Sequence, residues 1–263
     1  MLEVQGVYKS YGSMFSRIRS PVLKNISFHI QPSQCVALIG ESGSGKSTLA
    51  RIVLGLESFD SGSISCMGMA VSLKGRNRKA LYQNMQPVFQ DSAGCLNPRM
   101  KVEDILSEPI FNYTKLPRSA VQKAVKRLLE QVELPTDTLC RYPHELSGGQ
   151  QRRVCIARAI SISPRFLILD EPTAGIDAAI TKGILKLLIR LQKDTGCGYL
   201  FITHDLNIAL SMAEKILVMQ NGEIIETVTE AKSADDFGEV YAKELFMSST
   251  LCCLKENNLE DLK

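Results

Sequence analysis

The sequence has no long uninterrupted run of apolar residues. Its apolar stretches, such as residues 166–169 and 199–202, have the length of a buried strand, whereas a helix that spans a bilayer needs about 20 residues. Residues 1–5 show no basic region followed by an apolar core, so we expect no secretory signal peptide. If the protein works at a membrane, we expect it to do so through partners.

An excess of charge of either sign is also missing. The chain of 263 residues carries 31 Lys and Arg against 28 Asp and Glu, which is a formal net charge of +3. A domain that binds nucleic acid is expected to be strongly basic. The charge therefore gives no reason to expect nucleic acid as a partner.

The eight cysteines contain no Cys-x-x-Cys pair, which argues against a zinc site or a redox motif. Several lie within apolar runs, as Cys155 does, and we expect them to be buried, reduced thiols. Cys252 and Cys253 are neighbours in the polar tail. Two interpretations remain open: they form a reactive pair of thiols, or they are adjacent by chance.

Strand-like and helix-like segments alternate along much of the chain. The predicted strands are 35–39, 166–170, 199–203 and 215–219, and the predicted helices between them are 178–193 and 206–213. This alternation favours a mainly parallel sheet with helices on both faces. Asn221 and Gly222 predict a hairpin turn that leads into residues 223–227.

Other segments surround this predicted core. Residues 1–35 alternate between short apolar runs and turns, which predicts β-structure. Residues 100–133 carry apolar residues at helical spacing, and we expect 91–145 to be an inserted helical subdomain. We expect residues 231–263 to form a short C-terminal tail.

A glycine-rich loop lies between the first predicted core strand and a segment of helical character. It fits the pattern G-x-x-x-x-G-K-[ST], with residues Gly40, Glu41, Ser42, Gly43, Ser44, Gly45, Lys46, Ser47 and Thr48. The glycines allow several N–H groups to point into one concavity, which favours a triphosphate. We expect Lys46 to reach the β- and γ-phosphates and Ser47 to ligate Mg²⁺. The loop therefore predicts binding of magnesium-ATP.

Polar residues that follow the predicted strands are candidates for ATP hydrolysis. Asp170 and Glu171 stand at the carboxyl end of one strand, and in a parallel sheet that end faces the same edge as the phosphate loop. We expect Asp170 to hold Mg²⁺, directly or through water, and Glu171 to orient or deprotonate the attacking water. His204, one strand later, is a candidate contact of the γ-phosphate, and Gln90 is a candidate contact of Mg²⁺ or the attacking water.

A second glycine-rich helix start is the most discriminating feature. Ser147, Gly148, Gly149 and Gln150 predict another anion-binding helix N-terminus. Since one chain needs only one phosphate cradle for each ATP, a second cradle suggests that two chains share each nucleotide. A phosphate-loop kinase would not explain this segment.

Together these motifs resemble the ATPase subunits of ABC transporters. The resemblance covers about residues 2–230 and follows the family's order: phosphate loop, glutamine, signature segment 146–150, acidic strand, the D-loop aspartate Asp177, and the switch histidine. It implies a P-loop NTPase fold with a mainly parallel, RecA-like core, an antiparallel β-subdomain and a helical subdomain. All of these would belong to a single ATPase domain over 1–263.

The resemblance also implies partners. Each ATP would lie in a head-to-tail dimer, between one chain's phosphate loop and the other chain's Ser147 and Gly149. Tyr11 matches the family's aromatic residue that stacks on adenine, with Tyr8 as the alternative. The helical subdomain would dock on two transmembrane permease subunits, which places the chain on the cytoplasmic face of the cell membrane as a peripheral protein. ATP would close the dimer and hydrolysis would reopen it.

Residues after the glutamine resemble one branch of the family. Asn97, Pro98 and Arg99 match the importers of oligopeptides, dipeptides and nickel, which usually pair two different ATPase chains and use an extracytoplasmic solute-binding protein. Ser92 stands where most peptide members have proline, and the C-terminal segment lacks the cysteine cluster usual in peptide members. Both departures favour nickel or another chelated metal as the cargo, with di- or oligopeptides as the alternative.

A different class of function would be a soluble ABC protein that acts on ribosomes or DNA. Translation factors of that type usually hold two ATPase domains in one chain, and the DNA-repair types carry long coiled coils. This chain has one predicted domain, neither of those features, and a net charge near zero. We therefore expect a transporter subunit.

Overall fold

Ten strands form two sheets in the residues that the computed structural model describes, which are 1–12, 19–72 and 77–245. Cys252 and Cys253 lie outside these residues. The strands are β1 (Leu2–Gly12), β2 (Arg19–Ile30), β3 (Cys35–Ile39), β4 (Ser61–Cys66), β5 (Met69–Ala70), β6 (Met85–Val88), β7 (Phe166–Asp170), β8 (Gly198–Thr203), β9 (Lys215–Gln220) and β10 (Glu223–Thr229).

Residues 240–245 are helical, and eight further α-helices accompany the strands in the same described residues. They are α1 (Lys46–Val53), α2 (Arg78–Asn84), α3 (Ser92–Cys95), α4 (Val102–Tyr113), α5 (Arg118–Gln131), α6 (Gly148–Ile160), α7 (Ala178–Thr195) and α8 (Leu206–Met212). Short 3₁₀ turns lie at Thr136–Cys140, Pro143–Glu145 and Ala234–Asp236. Among the described residues, none of the helices combines the length and the apolar character needed to cross a membrane.

The larger sheet has six strands in the order β10-β9-β3-β8-β7-β6. The five strands from β9 to β6 run parallel to one another, and β10 pairs antiparallel with β9. Asn221 and Gly222 join β9 to β10 with φ angles of +49° and +83°, the backbone conformation that a tight hairpin turn needs. The predicted parallel sheet and its hairpin are confirmed.

Alternate side chains of the parallel strands enter two different apolar layers. Leu167 and Tyr199 face the layer that contains α4 to α7, while Ile168 and Leu200 face the layer shared with α1 and the smaller sheet. Every residue of β3, β7 and β8 is buried as a result. Burial on both faces explains why these strands are continuous apolar runs in the sequence.

The smaller sheet is antiparallel, with strand order β2-β1-β4-β5, as predicted for the N-terminal part. Between β6 and α6 the chain forms α3, α4, α5 and two of the 3₁₀ turns. The helix predicted at the second glycine-rich segment begins at Gly148, and Ser147 caps it. Among the cysteines in the described residues, Cys35, Cys66, Cys155 and Cys197 are buried and outside any disulfide, and Cys140 is exposed.

The residues after β10 pack back onto the large sheet. Phe237, Ala242 and Leu245 are buried in an apolar cluster with Ala37 and Ile39 of β3 and with residues of α8 and β9. The Glu226 carboxylate accepts hydrogen bonds from the N–H groups of Gly238 and Glu239, at 2.6 and 3.3 Å. Residues 231–245 are therefore part of the packed core structure.

We expect Phe237→Ala to lower the free energy of unfolding by about 3–5 kcal/mol, the usual cost of removing a buried phenyl ring. Phe237 is 1% exposed. Urea titration of the full chain measures the change. The matched control is Val240→Ala, because Val240 is 69% exposed in the same segment. A similar small loss for both variants would contradict the packing described above.

Candidate functional site

Residues 40–48 form a tight loop between β3 and α1 that depends on glycine. Gly40 and Gly45 have φ angles of +156° and +109°, which residues that carry a Cβ rarely adopt. A Cβ at Gly45 would lie 2.9 Å from the backbone oxygen of Val22, and a Cβ at Gly40 would overlap the backbone oxygen of Met219. The loop is thus pressed closely against β2 and β9.

Lys46 lies inside this loop and is only 5% exposed. Its ammonium donates hydrogen bonds to the backbone oxygens of Gly40 and Glu41, both at 2.7 Å, and to Ser44 Oγ at 3.3 Å. Burial lowers the pKa of Lys46, and nearby carboxylates oppose that shift. A partly desolvated cation with only uncharged oxygen partners gains strongly from phosphate oxygens, so this cradle fits the phosphates of a nucleotide.

Helix α1 presents its N-terminus to the same place. Gly45 occupies the N-cap position and supplies no capping side chain, so the first N–H groups of the helix remain suited to an anion. The loop borders a cavity of about 270 Å³ lined by Val22, Ser42, Gly43, Gly45, Lys46, Ser47, Thr48, Gln90 and Glu171. The structure thus brings the predicted phosphate-binding residues together with Gln90 and Glu171.

Ser47 and Asp170 meet across the start of α1 and the end of β7. Ser47 Oγ donates a hydrogen bond to Asp170 Oδ1 at 3.2 Å, and Asp170 is 9% exposed. Burial raises the pKa of the Asp170 carboxyl, while the hydrogen bond from Ser47 acts in the opposite direction. Carboxylate and hydroxyl oxygens are hard ligands of the kind that Mg²⁺ prefers, so the pair fits a magnesium ion.

Glu171 and His204 follow adjacent strands of the sheet and lie side by side. His204 Nδ1 is 3.3 Å from Glu171 Oε1. The backbone of Glu171 has a φ angle of +47°, and its N–H donates to the Ile202 oxygen at 3.0 Å. A left-handed conformation at a residue other than glycine is costly and is found preferentially at functional sites. Here it turns the chain sharply at the end of β7.

A second cavity of about 430 Å³ shares Gln90 and Glu171 with the first. His204 also lines it, together with residues of the segment 173–178. Gln90, Glu171 and His204, which are far apart in the sequence, therefore surround one space. That arrangement can hold a polar reactant between a carboxylate, an imidazole and an amide.

The second glycine-rich helix start has a different setting. Ser147 Oγ accepts from the Gln150 N–H at 3.3 Å, and Gln150 Oε1 accepts from the Ser147 N–H at 3.0 Å, a reciprocal capping box. Gly149 packs closely against Ile180 of α7: a Cβ added at Gly149 would lie 2.8 Å from Ile180 Cγ2. In the part of the chain that the structure describes, residues 147–150 are not among those that line either cavity.

Tyr11 and Asp177 also lie outside the described lining of the two cavities. The Tyr11 hydroxyl hydrogen bonds to Glu57, and the Lys9 ammonium lies 4.9 Å from the centre of its ring. Tyr11 and Tyr8 are equally exposed, at 43%. Asp177 occupies the N-cap position of α7 and is exposed.

Sequence reasoning missed Arg152, which connects α6 to the Gln90 loop. Arg152 is 3% exposed, and its guanidinium donates to the backbone oxygens of Phe89 and Gln90, both at 2.6 Å, and to that of Ala174 at 3.5 Å. The helical spacing indicates that Arg152 is buried, since it lies on the same face of α6 as the apolar Ile156. Its charge, taken alone, favours a solvent-exposed side chain.

Comparison with known proteins places the chain in a family. Residues 23–174, more than half of the chain, match the family described as ABC transporter. The chain therefore belongs to the ABC transporter family, and its fold is that of the family's ATPase cassette. The resemblance predicted from the motifs is confirmed for the family and for its oligopeptide and nickel branch.

Two relatives illustrate that branch. The oligopeptide transport ATP-binding protein OppF of Lactococcus lactis subsp. lactis is 38% identical over 241 residues, which cover 90% of this chain and 76% of the relative. The nickel import ATP-binding protein NikE of Brucella suis biovar 1 is 40% identical over 230 residues, which cover 87% of this chain and 85% of the relative.

Two solved structures share the fold. The ATP-binding cassette MJ0796, in a dimeric post-hydrolysis state bound to ADP and Pi, superposes with a TM-score of 0.78 at 27% identity, covering 88% of this chain and 99% of that chain. The cbiO1 protein of Clostridium perfringens, part of the ABC transporter complex cbiONQ, has a TM-score of 0.76 at 30% identity, covering 87% of this chain and 88% of that chain.

We expect Arg152→Lys to lower the free energy of unfolding by about 1–3 kcal/mol, because one ammonium cannot replace a planar fork that satisfies several buried carbonyls. Chemical denaturation measures the change. Arg153→Lys is the control on the same helix, since a single guanidinium nitrogen of Arg153 binds both the half-exposed Glu133 carboxylate and the Val132 backbone oxygen, and a lysine ammonium can keep both contacts. Equal losses in the two variants would show that the Arg152 contacts do not matter to stability.

Proposed function

We propose that this chain is the ATP-hydrolysing subunit of an ABC importer for nickel or another chelated metal. One observation supports the catalytic part most directly: Lys46, Ser47, Glu171 and His204 line two cavities that share Gln90 and Glu171. Asp170 accepts a hydrogen bond from Ser47 at the same edge of the sheet. The relatives are ATP-binding subunits of importers, which supports the transport part.

The residues divide into those that bind and those that react. Loop residues 40–48 hold the phosphates, with Lys46 on the β- and γ-phosphates, and Ser47, Asp170 and Gln90 hold Mg²⁺. Bound magnesium-ATP supplies the phosphoanhydride bond that is hydrolysed. Glu171 orients the attacking water and accepts its proton. His204 contacts the γ-phosphate and senses its loss.

The proposal also assigns roles in ATP binding to the signature segment and to the tyrosine that contacts adenine. Ser147, Gly148, Gly149 and Gln150 complete the ATP site of the facing ATPase chain, which agrees with their absence from the described lining of this chain's own two cavities. Asp177 lies in the D-loop at that interface, and Tyr11 stacks on adenine. The dimeric state of the cassette MJ0796 with ADP and Pi supports pairing of two ATPase chains.

The remaining assignments concern the assembly. We infer a single ATPase domain over 1–263 in which the helical subdomain 91–145 docks on two transmembrane permease subunits. A paralogous ATPase chain completes a heterodimer, and a solute-binding protein delivers the cargo from outside. The chain then lies on the cytoplasmic face of the cell membrane as a peripheral protein, without nucleic acid as a partner.

The cargo assignment depends on finer features. Ser92 and the similarity to NikE at 40% identity support nickel or another chelated metal. Asn97, Pro98 and Arg99 are common to the peptide members as well, and OppF is 38% identical. Import of di- or oligopeptides is therefore the second candidate.

We expect Glu171→Gln to bind magnesium-ATP but to lose about 10²- to 10⁴-fold in turnover, the usual contribution of a positioned general base. The variant should also hold the ATPase dimer closed. Phosphate release and size-exclusion chromatography with ATP measure the two effects. Glu130→Gln, the same change at an exposed position of α5, should leave both unchanged. Turnover near wild type in Glu171→Gln would rule out Glu171 as the base.

We expect deletion of the gene in its source organism to lower uptake of labelled nickel and the activity of nickel-dependent urease or hydrogenase. The wild-type chain should restore both, and the Glu171→Gln variant should not, since transport needs ATP turnover. Normal metal uptake combined with lost growth on dipeptides would instead favour the peptide importer.

A further inference from the structure

The C-terminal segment 231–245 reaches the phosphate loop directly. Tyr241 lies between the buried residues Phe237 and Leu245. Its hydroxyl oxygen accepts a hydrogen bond from the backbone N–H of Glu41, the second residue of the loop, at an N···O distance of 3.0 Å. A segment outside the recognised motifs is thus hydrogen bonded to the start of the nucleotide cradle.

Gly40 and Glu41 are held from opposite sides. From within the loop, the Lys46 ammonium binds both of their backbone oxygens at 2.7 Å. From outside, β9 leaves no space for a side chain on Gly40, and Tyr241 holds the Glu41 N–H. The oxygens that hold Lys46 are therefore fixed in place by two elements from the C-terminal part of the chain.

The segment that carries Tyr241 is itself anchored. Phe237, Ala242 and Leu245 pack in one cluster with Ala37 and Ile39 of β3, the strand that ends immediately before Gly40. The segment packs on β3 and the loop continues from β3, so the Tyr241 hydroxyl has a defined position relative to Glu41.

We propose that Tyr241 is a positioning residue of the nucleotide site, through which the C-terminal segment holds the start of the phosphate loop in the conformation that binds ATP. This inference rests on the proposed function of the loop. Tyr241 acts through the Glu41 backbone and has no role in the chemical step. Nucleotide affinity depends on it, and the rate of the chemical step does not.

The chemistry of the tyrosine suits this position. Burial raises the pKa of Tyr241, and the hydrogen bond from Glu41 acts against that shift. The hydroxyl therefore stays uncharged at neutral pH and places no negative charge beside a loop that receives phosphates. A carboxylate in the same position would satisfy the N–H but would repel the nucleotide.

The test is Tyr241→Phe in the full chain, which removes only the hydroxyl. We expect the Kd and the KM for magnesium-ATP to rise about 2- to 10-fold, the range of one net hydrogen bond, while kcat stays within about twofold of wild type. In the nucleotide-free protein, amide hydrogen exchange of peptides that contain Glu41 should become several-fold faster.

Tyr199→Phe is the matched control. Its hydroxyl donates to the Leu188 backbone oxygen at 3.1 Å in the core, so its loss should lower the Tm without changing the Kd or the exchange at Glu41. If Tyr241→Phe lowers only the Tm, with unchanged Kd and unchanged exchange, Tyr241 is merely structural and the inference fails. Absence of ATP binding by the wild-type chain would instead overturn the proposed function, which keeps the two failures distinct.

Discussion

The parallel register of three buried strands is the constraint on which the candidate site depends. Ile39 of β3 pairs with Thr203 of β8, and Asp170 of β7 pairs with Ile202 of β8. The three strands therefore end within one residue of the same level, and the next residue of each begins a turn that carries candidate site residues. Apolar layers cover both faces of these strands, and a slip of one residue would exchange the two layers, so burial itself holds the register.

Opposing electrostatic effects meet at that edge. Burial lowers the pKa of Lys46 and raises that of Asp170, so each charge is costly on its own. Their mutual attraction and the hydrogen bonds of the loop offset part of the cost. In the proposed complex, phosphate oxygens and a divalent cation would supply the remaining counter-charges, which is the electrostatic argument for magnesium together with a triphosphate at this site.

Elements distant in sequence stabilise the shape of this edge. Arg152 connects α6, which begins at Gly148, to the backbone at Gln90 and at Ala174. Both of those residues line the larger cavity. A displacement of α6 would therefore move two walls of the cavity at once, because one guanidinium binds both. The C-terminal segment has a corresponding connection to the phosphate loop through Tyr241.

The sequence by itself determined the core architecture and most of the candidate residues. Buried strands, helical periodicity and the loop at 40–48 are local patterns, because each depends on a short stretch of backbone and on burial of alternate residues. Three features were decided only by the tertiary structure: the three carbonyls that Arg152 binds, the packing of residues 231–245, and the contact between Glu41 and Tyr241. Glu41 and Tyr241 are 200 residues apart, and no local pattern specifies which buried surfaces meet once the sheet has formed.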